Sequence, residues 1–221
     1  MTSGSQVSTQ NEPCEEQYWS RFAPSYDRDG EYIVGKSSLQ AIGQRLAEER
    51  DLGACVEFGC GTGYLTRVIA RTARSVIATD LSDEMLEVAR MELGGFDNVT
   101  VQKADCRDSC FPAESFDTAV LVNLVHVIEN PSQCLQEANR IVRHRGSLLV
   151  VDFTGYGMSF PKKMNLIFKY LRKWGRPPRC GQNDLSPEEL VCLVEDSGFG
   201  VKDVELLEAG ANALYLRGEK G

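Results

Sequence analysis

The chain has 221 residues, of which 42% are hydrophobic, and it carries a formal net charge of −8 at pH 7. This length and composition fit one α/β domain with a full core. The acidic balance argues against nucleic acid as the main partner, because phosphate contacts need a basic face. No apolar stretch approaches the ~20 residues that a membrane-spanning helix requires.

The N-terminus and the cysteines indicate the compartment. Residues 1–13 are polar and contain no apolar signal region, so we expect a disordered segment and no secretory peptide. The eight cysteines include no CxxC pair, and only two histidines accompany them. We therefore expect free thiols in a reducing cytoplasm, and we expect no zinc or other metal site.

Hydrophobic periodicity predicts two N-terminal helices, over 14–23 and 30–50, followed by alternating strands and helices. The predicted strands lie near 54–59, 75–80, 98–103, 116–122, 146–153, 199–208 and 211–218. The predicted helices lie near 63–73, 82–94, 131–143 and 186–197. Alternation at this spacing indicates parallel strands with crossover helices. The last two strands are joined through Gly210, so they should pair as an antiparallel hairpin.

A glycine-rich turn follows the first predicted strand. Residues 54–66 read ACVEFGCGTGYLT, in which an apolar run leads to Gly59, Gly61 and Gly63 and then to a helix start. Glycine lets bare backbone approach a ligand, and this order is typical of a Rossmann-type nucleotide-binding crevice. The dinucleotide fingerprint GxGxxG is not met, because tyrosine follows Gly63. Asp80 ends the next strand, about where such folds place a carboxylate on ribose hydroxyls.

Five motifs in chain order resemble those of class I S-adenosylmethionine-dependent methyltransferases. They lie at 57–63, 79–82, 104–106, 116–120 and 146–152. Residues 18–27 resemble the N-terminal cap of the small-molecule members, including the quinone-biosynthesis type. The resemblance implies an α/β, Rossmann-like, seven-stranded and mostly parallel sheet with an antiparallel edge strand and helices on both faces. It also implies a single domain over 14–221, with a helical cap at 14–50 and a lid-like helical insertion at 154–185.

The resemblance implies that S-adenosyl-L-methionine is the cofactor and S-adenosyl-L-homocysteine its product. Glu57 would hold the ammonium end, Asp80 would accept from both ribose hydroxyls, and Asp105 would accept from the adenine amine. For Asp105 a plain turn residue is the alternative, with Asp108 as a nearby competitor. The implied cofactor-binding residues are Tyr26, Glu57, Gly59, Cys60, Gly61, Gly63, Asp80, Leu81, Met85, Asp105, Cys106 and Asn123.

His126 follows the fourth predicted strand and is the candidate catalytic residue. Its ordinary pKa of ~6.5 suits a base that takes a proton from a hydroxyl or thiol acceptor. The alternative is that it packs under the following helix. Methyl transfer from a sulfonium mainly needs alignment and exclusion of water, so no metal or covalent nucleophile is required in principle.

The insertion after the fifth strand is basic and amphipathic. Apolar residues recur there at helical spacing, at Met164, Ile167, Phe168, Leu171 and Trp174. Seven positive charges and no acidic residue lie between 155 and 183. Three interpretations stay open: a core-packing helix with a solvated basic face, a lid over the acceptor, and a peripheral membrane contact through 162–174.

The sequence thus predicts a cytoplasmic methyltransferase that acts on a small-molecule acceptor of anionic or apolar character. The rival interpretation is a non-catalytic protein of the same fold that binds the cofactor and serves as a regulatory or partner subunit. A nucleotide-dependent oxidoreductase is a second rival, which the GxGxG spacing disfavours.

Overall fold

The computed structural model describes residues 15–177 and 184–221. The predicted disordered segment 1–13 and residues 178–183 of the insertion lie outside the described residues. The strands are β1 (Ala54–Phe58), β2 (Ser75–Asp80), β3 (Val99–Lys103), β4 (Phe116–Val122), β5 (Val142–Thr154), β6 (Phe199–Leu207) and β7 (Asn212–Lys220). The α-helices are α1 (Glu15–Ser20), α2 (Tyr26–Val34), α3 (Lys36–Ala47), α4 (Thr66–Ile69), α5 (Asp83–Leu93), α6 (Pro131–Ile141), α7 (Phe160–Trp174) and α8 (Pro187–Asp196).

The seven strands form one sheet in the order β3-β2-β1-β4-β5-β7-β6. The first five strands pair in parallel, whereas β7 pairs antiparallel with both β5 and β6. This confirms the predicted Rossmann-like, mostly parallel sheet with an antiparallel hairpin at one edge, in which β6 is outermost. The strand order reverses between β1 and β4, and ligands bind at such a switch point, beyond the carboxyl ends of the strands.

Helices cover both faces of the sheet. On one face α3 and α5 contribute Ile42 and Leu86 to a buried cluster. On the other face α6 and α8 contribute Leu135 and Leu190. Because β4 and β5 lie between these two layers, they carry continuous buried apolar runs rather than an alternating pattern. The apolar faces of these helices therefore hold the sheet that carries the site.

The prediction of one helix over 30–50 is wrong, since the structure has two helices there. Gly35 separates α2 from α3 with a φ of 89°, in the left-handed region that glycine adopts without strain. Its N–H still donates to the carbonyl of Glu31 at 3.0 Å, which closes the last turn of α2. The break lets α2 pack against α7 while α3 packs on the sheet face.

The predicted helix over 63–73 is α-helical only at Thr66–Ile69. Its start belongs to the glycine turn, where the N–H of Gly63 donates to the carbonyl of Cys60 at 2.9 Å. At its end the side-chain amide of Asn98 donates to the carbonyls of Ala70 and Ala73, at 2.8 and 3.1 Å. These carbonyls are therefore satisfied without a longer helix.

The cap and the insertion meet above the carboxyl edge of the sheet. Tyr18, Ile33 and Trp174 are buried together there, with Tyr26 and Tyr170 packed against them. The hydroxyl of Tyr18 donates to the carbonyl of Trp174 at 3.1 Å, which ties α1 to the end of α7. No helix within 15–177 or 184–221 is long and apolar enough to span a bilayer.

Candidate active site

A cavity of about 640 Å³ lies between this aromatic layer and the carboxyl ends of β1, β2 and β4. The predicted site residues that line it are Tyr26, Glu57, Gly59, Cys60, Gly61, Asp80, Leu81, Met85, Cys106, Asn123 and His126. Gly63 and Asp105 are not among the lining residues. The strand register explains why these residues lie close together, because Phe58 of β1 pairs with Thr79 of β2 on one side and with Leu121 of β4 on the other. The residues that follow these three strands therefore emerge side by side.

The three glycines of the turn have different roles. A Cβ added to Gly59 would come within 2.7 Å of Leu124, and one added to Gly63 within 2.7 Å of Leu93. These two glycines allow close packing within the protein. At Gly61, whose φ is 54°, the nearest atom to an added Cβ is in the ring of Tyr26, at 3.9 Å. Gly61 is therefore the position where the backbone lies open to a ligand.

Asp80 connects the end of β2 to the glycine turn. One carboxylate oxygen accepts from the N–H of Gly61 at 2.9 Å, and the other accepts from the N–H of Ser82 at 2.9 Å. Burial raises the pKa of the Asp80 carboxyl, and these N–H groups offset part of that rise. A carboxylate has about four lone-pair sites, so the group can also accept from a ligand hydroxyl.

Glu57 is a buried carboxyl at the end of β1. It is 2% exposed and accepts a hydrogen bond from the hydroxyl of Thr66 at 2.6 Å. Burial and, to a smaller extent, the charge of Asp80 raise the pKa of Glu57 while the Thr66 hydroxyl lowers it, and together they place the pKa at about 7. A cation bound in the cavity would favour the ionised form and relieve this cost of burial.

His126 and Asp152 form a pair at the cavity wall. Nδ1 of His126 is hydrogen-bonded to the Asp152 carboxylate, whose other oxygen accepts from the His126 backbone N–H at 3.0 Å. Burial lowers the pKa of His126, but the neighbouring charge and hydrogen bond of Asp152, together with the charge of Asp184, raise it overall. With Nδ1–H donating to Asp152, the neutral ring keeps Nε2 as an acceptor. His126 lines the cavity, and its role in proton transfer stays a prediction.

Asp105 is engaged by a neighbour. Arg107 donates from Nε to one Asp105 oxygen at 3.0 Å and from Nη2 to the other at 2.9 Å. Burial alone would raise the pKa of Asp105, but the Arg107 guanidinium lowers it below its usual range. Ala104, Cys106 and Arg107 line the cavity while Asp105 does not. The contact of Asp105 with adenine stays a prediction that requires this ion pair to rearrange.

Aromatic rings form the roof of the cavity. Tyr26 stacks on Trp174 with ring centroids 5.3 Å apart and 8° between the planes, and Trp19 meets Trp174 edge to face at 5.4 Å. Three buried polar atoms along the cavity have no hydrogen-bond partner among the described residues: Nε1 of Trp19, Nε1 of Trp174 and Oδ1 of Asn123. Buried polar groups are rarely left unpaired, so these atoms indicate that a polar ligand belongs here.

Two kinds of site residue do not follow from the sequence motifs. Asp152 belongs to the motif of the fifth strand, and a carboxylate near the end of an otherwise apolar strand is itself a signal of function. Trp19, Tyr170 and Trp174 also line the cavity. Trp174 belongs to the apolar pattern of the insertion and Trp19 to the cap motif, but no local pattern shows that these two segments meet over the glycine turn.

Comparisons with known proteins agree with this geometry. The profile of a methyltransferase-domain family matches residues 56–150. The demethylmenaquinone methyltransferase of Tropheryma whipplei (strain Twist) is 33% identical over 224 aligned residues, which cover 90% of each chain. The chain belongs to the class I S-adenosylmethionine-dependent methyltransferases. The resemblance predicted from the five sequence motifs is therefore confirmed.

Solved methyltransferase structures share the fold. A S-adenosylmethionine-dependent methyltransferase from Thermotoga maritima has a TM-score of 0.73 at 24% identity, covering 94% of this chain and 100% of that one. The DhpI–SAH complex also has a TM-score of 0.73 at 24% identity, covering 94% of this chain and 95% of that one. At this identity the likeness concerns the fold alone, which it confirms.

We expect the affinity of this methyltransferase for S-adenosylhomocysteine to rise with pH up to about 7 and then to level off. Below the Glu57 pKa of about 7 the carboxyl is neutral and offers the ligand's ammonium no opposite charge. One coupled proton changes the binding constant by at most about one decade per pH unit. Calorimetric titration across this range measures the slope. The slope should vanish in Glu57→Gln, and a slope that persists there would assign the effect to another group.

Proposed function

We propose that this methyltransferase binds S-adenosylmethionine in the cavity and transfers its methyl group to a small-molecule acceptor, with His126 as the general base. One observation carries the proposal: His126, which is hydrogen-bonded to Asp152, lines the same cavity as Gly61, Glu57 and Asp80. A group that takes a proton therefore lies beside the residues that suit the cofactor.

The residues present fit the cofactor. Gly61 leaves open space, Asn123 Oδ1 lacks a partner within the described part of the chain, and Glu57 and Asp80 supply two buried carboxyls. Glu57 would pair with the ammonium group and Asp80 would accept from the ribose hydroxyls. When bound, S-adenosylmethionine supplies an electrophilic methyl group on a sulfonium. The protein's own task is then to align the acceptor, exclude water and remove a proton.

Proton removal is the role that we assign to His126. Asp152 holds Nδ1 and so fixes the ring orientation and the tautomer. Nε2 would take the proton of an acceptor hydroxyl or thiol as its oxygen or sulfur bonds to the methyl carbon, while the methyl–sulfonium bond breaks and S-adenosylhomocysteine leaves. The Asp152 carboxylate stabilises the imidazolium that forms. It also accepts a hydrogen bond from the backbone N–H of His126 at 3.0 Å, which holds the two residues in place relative to each other.

The character of the acceptor follows from the lining of the cavity. Besides the cofactor residues, the cavity presents apolar side chains such as Val127, Phe153, Leu166 and Leu171. The cap and α7 close over it, which suits a small molecule rather than a polymer. The name of the Tropheryma whipplei relative, a demethylmenaquinone methyltransferase, also supports a small and apolar acceptor.

Melting curves with S-adenosylhomocysteine and with NAD test the cofactor assignment. At ~100 times its dissociation constant a ligand of the native state contributes ~2.7 kcal/mol. For a chain of this size that raises the melting temperature by roughly 5–10 °C. We expect this rise with S-adenosylhomocysteine and none with NAD. A rise with NAD alone would overturn the proposal in favour of an oxidoreductase.

A further inference from the structure

Helix α7 exposes an apolar stripe to solvent. Phe160 is 76% exposed and Phe168 is 62% exposed. Met164, Ile167 and Leu171 are each about half exposed, and together the five residues recur at helical spacing along one side of the helix. The adjacent side of the helix is occupied, since Leu166 and Tyr170 pack with Trp174 against the cap. Monomeric proteins rarely expose a contiguous apolar surface of this kind without a partner.

Positive charge flanks the apolar stripe. Lys163 pairs with Asp184 at 3.0 Å and Lys173 pairs with Asp29 at 2.8 Å. Arg172 and Arg176 are exposed and have no acidic partner among residues 15–177 and 184–221. Because the chain as a whole carries a net charge of −8, this basic surface stands out from an acidic protein.

The apolar stripe continues into the mouth of the cavity. Ile167 and Leu171 belong to the stripe and also line the cavity. The path from the exposed face of α7 to the space beside His126 is therefore lined by apolar side chains at its entrance. A partner that covers the stripe would also cover this entrance.

The geometry points to an anionic phospholipid bilayer as that partner. An amphipathic helix with a basic flank lies in the plane of such a surface, with its apolar side in the boundary between headgroups and acyl chains. The 15 residues of α7 provide a contact ~22 Å long. Arg172 and Arg176 would meet lipid phosphates, whereas two copies of the chain facing each other here would bring like charges together. A bilayer matches both the apolar and the charged part of the surface.

If α7 docks on a bilayer, the methyl acceptor would come from that bilayer, a consequence that rests on the proposed function. An apolar acceptor dissolved in the bilayer would enter between Ile167 and Leu171 without crossing water. The methyl-transfer cavity would then sit directly above the membrane surface.

Co-sedimentation of the full chain with vesicles tests the docking. One set of vesicles contains phosphatidylcholine alone, and the other contains equal parts of phosphatidylcholine and phosphatidylglycerol. We expect binding to the second set only, and weakening at high salt. The double variants Phe160→Gln/Phe168→Gln and Arg172→Gln/Arg176→Gln should each lower the partition coefficient about ten- to thirty-fold.

Matched controls change equal numbers of exposed residues elsewhere. Met91→Gln/Val204→Thr removes exposed apolar groups and Arg50→Gln/Arg71→Gln removes two exposed charges; both should bind vesicles as the wild type does. S-adenosylhomocysteine should raise the melting temperature of every variant equally, so a failure of the cofactor assignment is seen separately. The docking proposal would be overturned if the wild-type protein did not bind anionic vesicles, or if the stripe variants bound them as strongly as the wild type does. A concentration-dependent dimer lost in Phe160→Gln/Phe168→Gln, without vesicle binding, would assign the stripe to a second copy.

Discussion

Replacing His126 by alanine should lower turnover ~10²–10⁴-fold, the range for losing a general base, while the affinity for S-adenosylhomocysteine stays almost unchanged. The expected loss is in turnover because the proposed function assigns Nε2 to the acceptor and Gly61, Glu57 and Asp80 to the cofactor. Initial rates with methyl-labelled donor and calorimetry on the same preparation measure the two quantities. If His126 only packs in the protein, His126→Ala will instead lower the melting temperature and leave turnover near the wild-type value.

Asp152→Asn separates orientation from packing, because asparagine keeps the shape and removes the charge. Burial lowers the pKa of His126, and the charges of Asp152 and Asp184 outweigh it, so the pKa lies above its ordinary value. The base is active when neutral, so wild-type turnover should rise with pH through a pKa above ~6.5. Without the Asp152 charge this limb should move to lower pH, and its plateau should fall as the tautomer is lost. If the rise of turnover with pH stayed at the same pH in Asp152→Asn, this would contradict the pairing of His126 with Asp152.

Gly61→Val should abolish binding of S-adenosylhomocysteine. The added side chain would extend from the one turn glycine whose Cβ direction is open, into space that the ligand needs. The φ of 54° adds backbone strain of roughly 1–2 kcal/mol. Gly61→Ala should show a smaller loss, because a single methyl group stays 3.9 Å from the Tyr26 ring. Calorimetric titration measures both variants.

Gly95→Val is the matched control for this substitution. Gly95 lies outside the cavity, and a Cβ added there meets no atom within 4 Å. The affinity of Gly95→Val for S-adenosylhomocysteine and its melting temperature should equal those of the wild type. Unchanged affinity in Gly61→Val, with the variant folded, would show that the ligand does not approach the glycine turn.

The sequence predicted those parts of the site that lie within one local motif. Gly61 and Asp80 were found because a strand, a glycine turn and an acidic strand end have a fixed spacing in the chain. The parallel pairing of the first five strands and the antiparallel hairpin at the end followed from the alternation of elements and from the family motifs. Gly35 was visible in the sequence, but whether a helix continues through a glycine depends on what its two halves pack against.

The parts that the sequence did not predict depend on register and packing between distant segments. His126 contacts Asp152 because Val122 of β4 pairs with Val151 of β5. This register cannot be predicted from the sequence of either strand alone. Trp174 stacks on Tyr26 only after the insertion folds back over the cap. By contrast, the ion pair that holds Asp105 was local, since Arg107 lies two residues away and could have been considered.

The most direct test of methyl transfer by this protein incubates the wild type with methyl-labelled S-adenosylmethionine and fractionated small-molecule extracts. The label and the mass of the product are then followed. We expect a labelled small molecule heavier by one methylene group, formed by the wild type and by Gly95→Val and almost absent with His126→Ala. Cofactor binding by calorimetry without transfer of label to any small molecule would contradict it and would favour a non-catalytic partner protein.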